Sequence, residues 1–452
     1  MTSTERQRER ERTLPWIGLG VAFVLVAAAM LVPAVSGWNV HVFTFPPLHA
    51  DWDPRTGPGT LPALVIAALA TWQAFHVAER ASWRTLLLWS FVAALAWLLA
   101  LALVDGLDGI QKILDTQYEY LRTARRLDNF GDALPDWVRR ITQDADPHEW
   151  PTHVAGHPPG ATLFFWALVQ IGWGSGLDAG LVVTFVAATT PLAVLITMRT
   201  LGAEVHARRA APFLVFGPAA VWSAVSADAV FGAVAAWGMS ALALAATRRR
   251  WPGRILWSVA AGLLLGYTVM MSYGLPLMAL LAVVVLWLAH QREGSWWPLP
   301  ITALVAAGVV LGFATYGFYY WDALPALHTR YYGAIAGRRP PSYWNWANLA
   351  ALAISAGPLM AAGLSSVLGR PRALLRDQST RVVTALSLGG AAMVLAADLS
   401  QMSRAEVERI WLPFVPWLLL SCALLPERWR RWGLAGQVLT ALVVQHLLQT
   451  GW

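Results

Sequence analysis

The feature that most constrains this chain is a series of apolar runs, each roughly 20 residues long, separated by short arginine-rich turns. Of its 452 residues, 57% are hydrophobic and 13% are charged, against roughly 25% charged in an average soluble domain. Because lipid offers no hydrogen bonds to the backbone, apolar runs of this length must form helices. The sequence therefore predicts an all-α polytopic protein of the plasma membrane.

We predict about 13 transmembrane helices from the length of the apolar runs. The predicted spans are 14–35, 61–78, 86–104, 181–198, 210–224, 229–246, 255–271, 275–290, 300–320, 346–367, 382–398, 410–425 and 433–449. They divide the chain into a cytoplasmic tail, 1–13, and a single transmembrane domain, 14–452. The apolar segment Pro158–Trp173 is short for a crossing. We interpret it as a re-entrant or interfacial helix, with a true short span as the alternative.

The distribution of charge predicts the orientation. The turns around 1–13, 80–84, 199–209, 248–254, 292, 370–381 and 428–431 would all lie on one side, with 21 of the 33 basic residues and 8 of the 26 acidic ones. Basic residues near span ends are retained in the cytoplasm. We therefore predict a cytoplasmic N-terminus. The same anchoring accounts for the net charge of +7, so no nucleic-acid partner is predicted.

The charged loop 105–160 is the predicted extracytoplasmic catalytic loop. It opens with Asp105 and Asp108 directly after an apolar run. Within it, Gln111–Leu127 and Leu134–Ile141 carry apolar residues at helical spacing among charges. This pattern predicts amphipathic helices at the membrane surface, in contact with membrane lipids.

Further charged residues fall on the same predicted side and are candidates for substrate binding: Glu119, His157, Asp228, Arg338, Arg339, Arg404, Glu406 and Arg409. Arginine binds phosphate through a planar fork and keeps its charge at any accessible pH. A carboxylate can take a proton from an attacking hydroxyl within hydrogen-bond reach. Carboxylates beside guanidinium groups therefore suit a negatively charged, lipid-linked substrate.

Cofactor chemistry has little support in the sequence. His153 and His157 have a spacing found in metal sites, but Gly156 and the prolines that follow argue against one continuous helix. No phosphate-binding glycine loop and no nucleophile-elbow motif is present. We assign no metal ligand and no definite cofactor, and leave a requirement for a divalent metal ion open.

The order of these motifs resembles the GT-C membrane glycosyltransferases. An Asp after a span (Asp105 or Asp108) is followed by an amphipathic loop, then by His157-Pro158-Pro159-Gly160 at the start of an apolar helix, then by Asp228. The resemblance covers about Val104 to Leu288. It is of the protein O-mannosyltransferase and aminoarabinose-transferase type, with actinobacterial cell-envelope sugar transferases as relatives.

The resemblance implies an inverting transfer of a sugar from a polyprenyl-phosphate donor to a hydroxyl of a glycan, lipid or protein acceptor, on the extracytoplasmic face. Asp108, or else Asp105, would be the catalytic base. Arg338, Arg339, Arg404 and Arg409 would hold the lipid phosphate, while His157 and Asp228 would orient donor or acceptor. An additional hairpin, 61–104, precedes the Asp loop. Asp51 and Asp53 in the first loop are therefore an alternative to Asp105 and Asp108, although an Asp-Pro turn is the simpler reading of that pair.

Two other functions fit the composition. A transporter or flippase of lipid-linked sugars would place charges within broken helices, whereas the spans here are nearly free of charge. A non-catalytic membrane protein of envelope assembly is the second alternative. The enzyme hypothesis predicts that Asp105 or Asp108, His157, Asp228 and an arginine share one outward cavity.

Overall fold

The computed structural model describes residues 3–142, 149–370 and 374–451, and this part of the chain is predominantly helical. Its α-helices are Ser3–Ser36, Thr60–Arg80, Trp83–Ala102, Asp108–Gln111, Tyr120–Arg125, Phe130–Ala133, Thr152–Gly156, Pro159–Gln170, Gly176–Ala187, Thr190–Thr200, Glu204–Val215, Ala220–Ser223, Ala227–Thr247, Trp251–Met271, Met278–His290, Pro298–Thr315, Tyr320–Gly333, Ile335–Arg338, Pro341–Ser355, Pro358–Leu368, Gln378–Leu399, Val407–Ile410, Val415–Leu419 and Glu427–Leu447. Short 3₁₀ helices cover Leu103–Asp105, Ile113–Asp115, Arg139–Ile141, Leu275–Leu277 and Leu420–Leu424.

Two short strands join the first loop of the chain to its last residues. Ala50–Trp52 pairs antiparallel with Leu448–Thr450, with Ala50 opposite Thr450 and Trp52 opposite Leu448. Beyond the strands, the backbone N–H of Asp53 donates to the carbonyl of Leu447 at 2.9 Å. The first loop is thereby fixed to the end of the Glu427–Leu447 helix.

The all-α polytopic architecture predicted from the sequence is confirmed, but the count of 13 spans is not. Within the described residues, eight helical segments are long and apolar enough to cross a membrane, and a ninth is obtained if one bent pair forms a single span. That pair, Pro341–Ser355 and Pro358–Leu368, is bent by 111°. Proline at the start of the second helix cannot continue the hydrogen-bond ladder of the first.

Of the predicted spans outside this set, 275–290 forms a shorter apolar helix and 433–449 lies in the helix Glu427–Leu447, whereas two others are interrupted at proline. The segment predicted as 210–224 ends its first helix at Val215 and restarts at Ala220, on either side of Gly217-Pro218. The segment predicted as 410–425 is broken near Pro413 and Pro416 into short α and 3₁₀ pieces. Proline removes a backbone donor and clashes with the preceding turn, so apolar composition alone overstated these spans.

The segment interpreted as a re-entrant or interfacial helix forms a helix of 12 residues, Pro159–Gln170. Pro159 stands at its first turn, where the missing N–H costs nothing. It packs against Trp251–Met271, and the Tyr267 hydroxyl donates to the carbonyl of Gly160 at 2.9 Å.

The predicted amphipathic helix Gln111–Leu127 is not continuous. Extended backbone at Thr116 and Glu119 separates a 3₁₀ turn at Ile113–Asp115 from the Tyr120–Arg125 helix. The apolar side chains of the segment still face inward, with Leu114 and Leu121 buried. Burial against neighbouring helices outweighs local helix propensity here. Residues 143–148 of the same loop lie outside the described part of the chain.

The core is centred on the Ala227–Thr247 helix, in which 83% of the residues in the most apolar 18-residue stretch are buried. It packs against Trp251–Met271, Thr190–Thr200 and Met278–His290. Its alanines and glycines allow neighbouring helices to approach closely, the usual solution for helices in lipid. The first turn of this central helix carries Asp228.

Candidate functional site

A polar cavity of about 480 Å³ lies where the first loop, the start of the 105–160 loop and the C-terminal segment meet. The cavity lining is both charged and amide-bearing. It consists of Asp53, Arg55, Thr56, Gly57, Pro58, Ala102, Val104, Asp105, Gly106, Asp108, Gly109, Lys112, Ile113, Val221, Trp222, Ala224, Val225, Gln445, Gln449 and Thr450. Both Asp residues predicted as the base therefore face the same cavity.

Close backbone contact brings the first loop to the Asp loop. A Cβ at Gly57 would collide with the carbonyl oxygen of Val104, and one at Gly59 would collide with that of Ala100. The backbone N–H of Gly59 donates to the carbonyl of Leu103 at 2.9 Å. Only glycine allows this approach, which places Arg55 beside Asp105.

Asp105 is held by two partners from distant parts of the chain. The Arg55 guanidinium donates to both of its carboxylate oxygens, with Nη2 at 3.4 Å from Oδ2. The Gln445 amide donates to the same Oδ2 at 2.8 Å. A charge-assisted bidentate pair of this kind orients the carboxylate as well as neutralising it.

Asp108 is less constrained. Within the described part of the chain its carboxylate accepts a single hydrogen bond, from the Gln111 amide at 2.9 Å from Oδ1. Its other oxygen is available to a ligand. Nearby on the cavity wall is Lys112, which has no ion-pair partner among the described residues. Within the described residues, Asp108 and Asp53 are the lining carboxylates without an ion pair, and Lys112 is a lining ammonium group without one.

A second group of charged residues is buried next to the cavity. Arg409 Nη1 is 2.5 Å from Asp228 Oδ2, and its Nη2 is 3.8 Å from Glu406. Glu406 in turn accepts from Arg339 Nη2 at 2.8 Å. Asp228, Arg339 and Arg409 are each at most 5% exposed. We call the set Asp228, Arg409, Glu406, Arg339, Glu119 and His153 the buried ion-pair cluster.

Glu119 and His153 complete this cluster on the side of the 105–160 loop. His153 Nδ1 lies 2.7 Å from Glu119 Oε1. Burial raises the pKa of Glu119, but the charge and hydrogen bond of His153, together with Arg409, outweigh burial and hold that pKa below its usual value. Glu119 is therefore an anion locked into a pair.

His157 lies beside the cluster as a neutral side chain. Its Nδ1 is 2.9 Å from the carbonyl oxygen of His153. Burial lowers its pKa to about 4, against the opposing effect of Asp228. Its ring packs at 5.6 Å from Tyr120 and 5.7 Å from Phe231. His157 and its prolines thus form a packing junction between the loop and the central helix.

The remaining predicted residues differ in their surroundings. Arg404 donates to the carbonyl of Arg339 at 3.2 Å and to Gln401. Arg338 is exposed and has no hydrogen bond or ion pair within the described part of the chain. Asp51 accepts from the N–H and hydroxyl of Thr44, in keeping with a turn.

The expectation of one shared cavity is met only in part, because the cavity holds Asp105, Asp108 and an arginine, Arg55, but neither His157 nor Asp228. Asp105 and Asp108 line the cavity, whereas the lining includes none of the predicted substrate-binding residues. Segment 220–225 contributes the cavity residues Trp222 and Val225 and leads directly into the buried Asp228. The ion-pair cluster satisfies its charges inside the protein, because an unpaired charge is too costly to bury.

Sequence reasoning missed four cavity residues: Arg55, Lys112, Gln445 and Gln449. Gln445 carried a usable signal, because a polar residue within an apolar run must find a partner. Arg55 and Lys112 gave no such signal, since charged residues in loops are common.

A metal site has no support in the side-chain arrangement. Among the described residues, no three or more His, Cys, Asp or Glu side chains are grouped to hold a metal ion. His153 and His157, the pair with metal-like spacing, instead bond to Glu119 and to the backbone.

No known family and no curated protein matches this chain, and the solved structures that align with it do so over part of its length. ArnT from Cupriavidus metallidurans in the apo state aligns at 13% identity over 68% of this chain and 56% of that one, with a TM-score of 0.37. The Archaeoglobus fulgidus oligosaccharyltransferase, complexed with Zn and sulfate, aligns at 13% identity over 70% of this chain and 49% of that one, with a TM-score of 0.38.

The chain spans about half the length of each of these two structures. At these TM-scores the alignments carry no argument about activity, which must rest on the residues of the cavity.

Proposed function

We propose that this protein is a membrane glycosyltransferase that moves a sugar from a polyprenyl-phosphate donor to an acceptor hydroxyl in the cavity around Asp108. The observation that carries the proposal is that Asp108, with one carboxylate oxygen unbonded among the described residues, lines a polar cavity of about 480 Å³ together with Lys112. The motif order of the sequence supports the same class of reaction.

In the proposed reaction Asp108 is the general base. Its carboxylate takes the proton of the acceptor hydroxyl while that oxygen attacks the anomeric carbon of the donor sugar. The new bond joins acceptor oxygen to the anomeric carbon. The bond from that carbon to the phosphate oxygen breaks, and its electron pair leaves with the polyprenyl phosphate. Attack opposite the leaving group inverts the configuration at the anomeric carbon.

Asp105 has a different proposed role. Its oxygens are occupied by Arg55 and Gln445, so it is an anchor for the loop that carries Asp108 rather than the base. The placement of this cavity on the extracytoplasmic face is part of the proposal. It follows from the basic turns on the opposite side of the predicted topology.

The test uses purified full-length protein with radiolabelled decaprenyl-phosphate arabinose, mannose and galactose as donors and octyl glycosides as acceptors. Wild type should transfer at least one sugar. Asp108→Asn should lower kcat by roughly 10²–10⁴-fold, the contribution expected of a general base. Asp132→Asn, exposed on the Phe130–Ala133 helix and outside the cavity, is the matched control and should retain activity. Undiminished transfer by Asp108→Asn would exclude Asp108 as the base.

A further inference from the structure

The C-terminal segment contributes one complete wall of the cavity. Gln445, at the end of the Glu427–Leu447 helix, and Gln449 and Thr450, in the strand that follows, all line it. The rest of the lining includes the charged groups of the first loop and the Asp loop. The C-terminal wall is therefore the neutral, hydrogen-bonding side of the site.

Several contacts fix this wall to the charged side. The strand Leu448–Thr450 pairs with Ala50–Trp52. The backbone N–H of Arg55 donates to the carbonyl of His446 at 2.8 Å, and His446 Nε2 lies 3.1 Å from the Thr60 hydroxyl. The end of the helix cannot shift without moving the loop that presents Arg55.

Gln445 is placed to set the orientation of Asp105. It is 5% exposed, so its amide has no bulk water as an alternative partner. Its bond to Asp105 Oδ2 complements the two bonds from Arg55. Gln445 does not need to touch substrate to affect the site, because it acts through the loop that leads from Asp105 to Asp108.

Gln449 differs from Gln445 in being exposed in the cavity lining. Its side-chain amide makes no hydrogen bond within the described part of the chain. An amide offers two donors and two acceptor lone pairs without charge, which matches the alternating donor and acceptor character of sugar hydroxyls.

We infer that the segment 445–450 forms the wall of the cavity that determines which sugar is bound. In this wall Gln445 positions Asp105, and Gln449 bonds to hydroxyl groups of the bound sugar. The inference rests on the proposed function and extends it to the end of the last helix and the strand that follows it.

The kinetic test separates the two glutamines. Gln445→Met keeps the size of the side chain but removes the donor, and should lower kcat by about 10-fold with little change in KM. Gln445→Glu should lower it further, because a second carboxylate would repel Asp105. Gln449→Ala should leave kcat within about two-fold but change the ratio of kcat/KM between donor sugars by roughly 10-fold. Gln73→Ala, on the Thr60–Arg80 helix away from the cavity, is the control and should match wild type.

A labelling test examines the position of Gln449 in the cavity without measuring enzyme activity. Cys422 is the only cysteine and is buried, so Gln449→Cys provides a nearly unique reactive thiol. It should react with a polar maleimide in the folded protein, and the decaprenyl-phosphate sugar donors should protect it. No labelling, or labelling without protection, would overturn the inferred wall.

The outcomes distinguish the inference from the function beneath it. Wild type that transfers no sugar from any donor overturns the proposed function and the inference with it. An active wild type whose Gln445→Met and Gln449→Ala variants keep its kcat, KM and sugar preference overturns the inference and leaves the function standing.

Discussion

At the scale of single residues, the buried ion-pair cluster is a source of stability only while it is complete. Arg409 pairs with both Asp228 and Glu406, and its pKa is raised because those carboxylates outweigh the cost of its burial. Removing one partner leaves a buried charge without compensation, which costs more than the pair itself contributes.

Asp228→Ala should therefore lower the free energy of unfolding by about 3–5 kcal/mol. Asp136→Ala is the matched control. It breaks the pair of Asp136 with Arg139, whose side chains are 59% and 56% exposed, and should change stability by less than about 1 kcal/mol. Unfolding midpoints in detergent measure both. Equal midpoints for the two variants would contradict the buried pairing.

A second prediction concerns Glu408, whose carboxyl is fully buried. Its Oε1 accepts from the backbone N–H of His49 at 3.0 Å, and its Oε2 has no partner within the described residues. Burial raises its pKa from 4.5 to about 7. The folded protein thus holds this proton where the unfolded chain releases it, so stability falls as pH rises from about 4.5 to about 7.

Glu408→Gln should remove that dependence, amounting to roughly 3 kcal/mol across the window, and should be the more stable protein above pH 7. Unfolding midpoints at several pH values in this window provide the measurement. A variant that loses stability with rising pH as wild type does would assign the titration to another group.

At the scale of elements, the Pro159–Gln170 helix is positioned by one close contact. A Cβ at Gly160 would collide with the carbonyl oxygen of Met270 and would lie 2.9 Å from the Met270 Cβ. The glycine that stands after His157-Pro158-Pro159 is thus a packing requirement of this helix.

Gly160→Ala should destabilise the protein by about 1–3 kcal/mol, the usual cost of overpacking. Gly312→Ala is the control, since nothing lies within 4 Å of the position that a Cβ would take there and alanine favours a helix by up to about 1 kcal/mol. Thermal unfolding of both variants should move in opposite directions. A loss at Gly312 equal to that at Gly160 would remove the contact as the cause.

The helices also show how much of the secondary structure can be predicted from the sequence. Long apolar runs such as Ala227–Thr247 were predicted nearly to the residue, because lipid forces every such run into a helix. The spans at 210–224 and 410–425 were not, since proline breaks them and hydropathy does not register a missing donor. The amphipathic loop kept its inward-facing pattern and lost its continuous helix.

At the scale of the whole molecule, the sequence identified the candidate residues but not which of them lie together in the fold. Charge and position next to apolar runs separated Asp105, Asp108, Asp228 and Arg409 from the apolar background. Gln445 bonds Asp105, although the two residues are more than 300 positions apart in the sequence. This contact depends on packing of the last helix against the first loop, which no local sequence pattern encodes.

The orientation of the whole molecule leads to the last prediction. The basic turns predict that the arginine cluster at 248–250 is cytoplasmic and that the loop 105–160 is outside. Single cysteines at Arg249 and Asp128, both exposed, test this, because the native Cys422 is buried.

In intact cells an impermeant maleimide should label Asp128→Cys at once and Arg249→Cys only after permeabilisation. Labelling of Arg249→Cys in intact cells would reverse the topology and move the cavity to the cytoplasmic face. Since the polar heads of lipid-linked donors cross a membrane slowly on their own, the side found for Asp128 also decides on which face a donor must be presented.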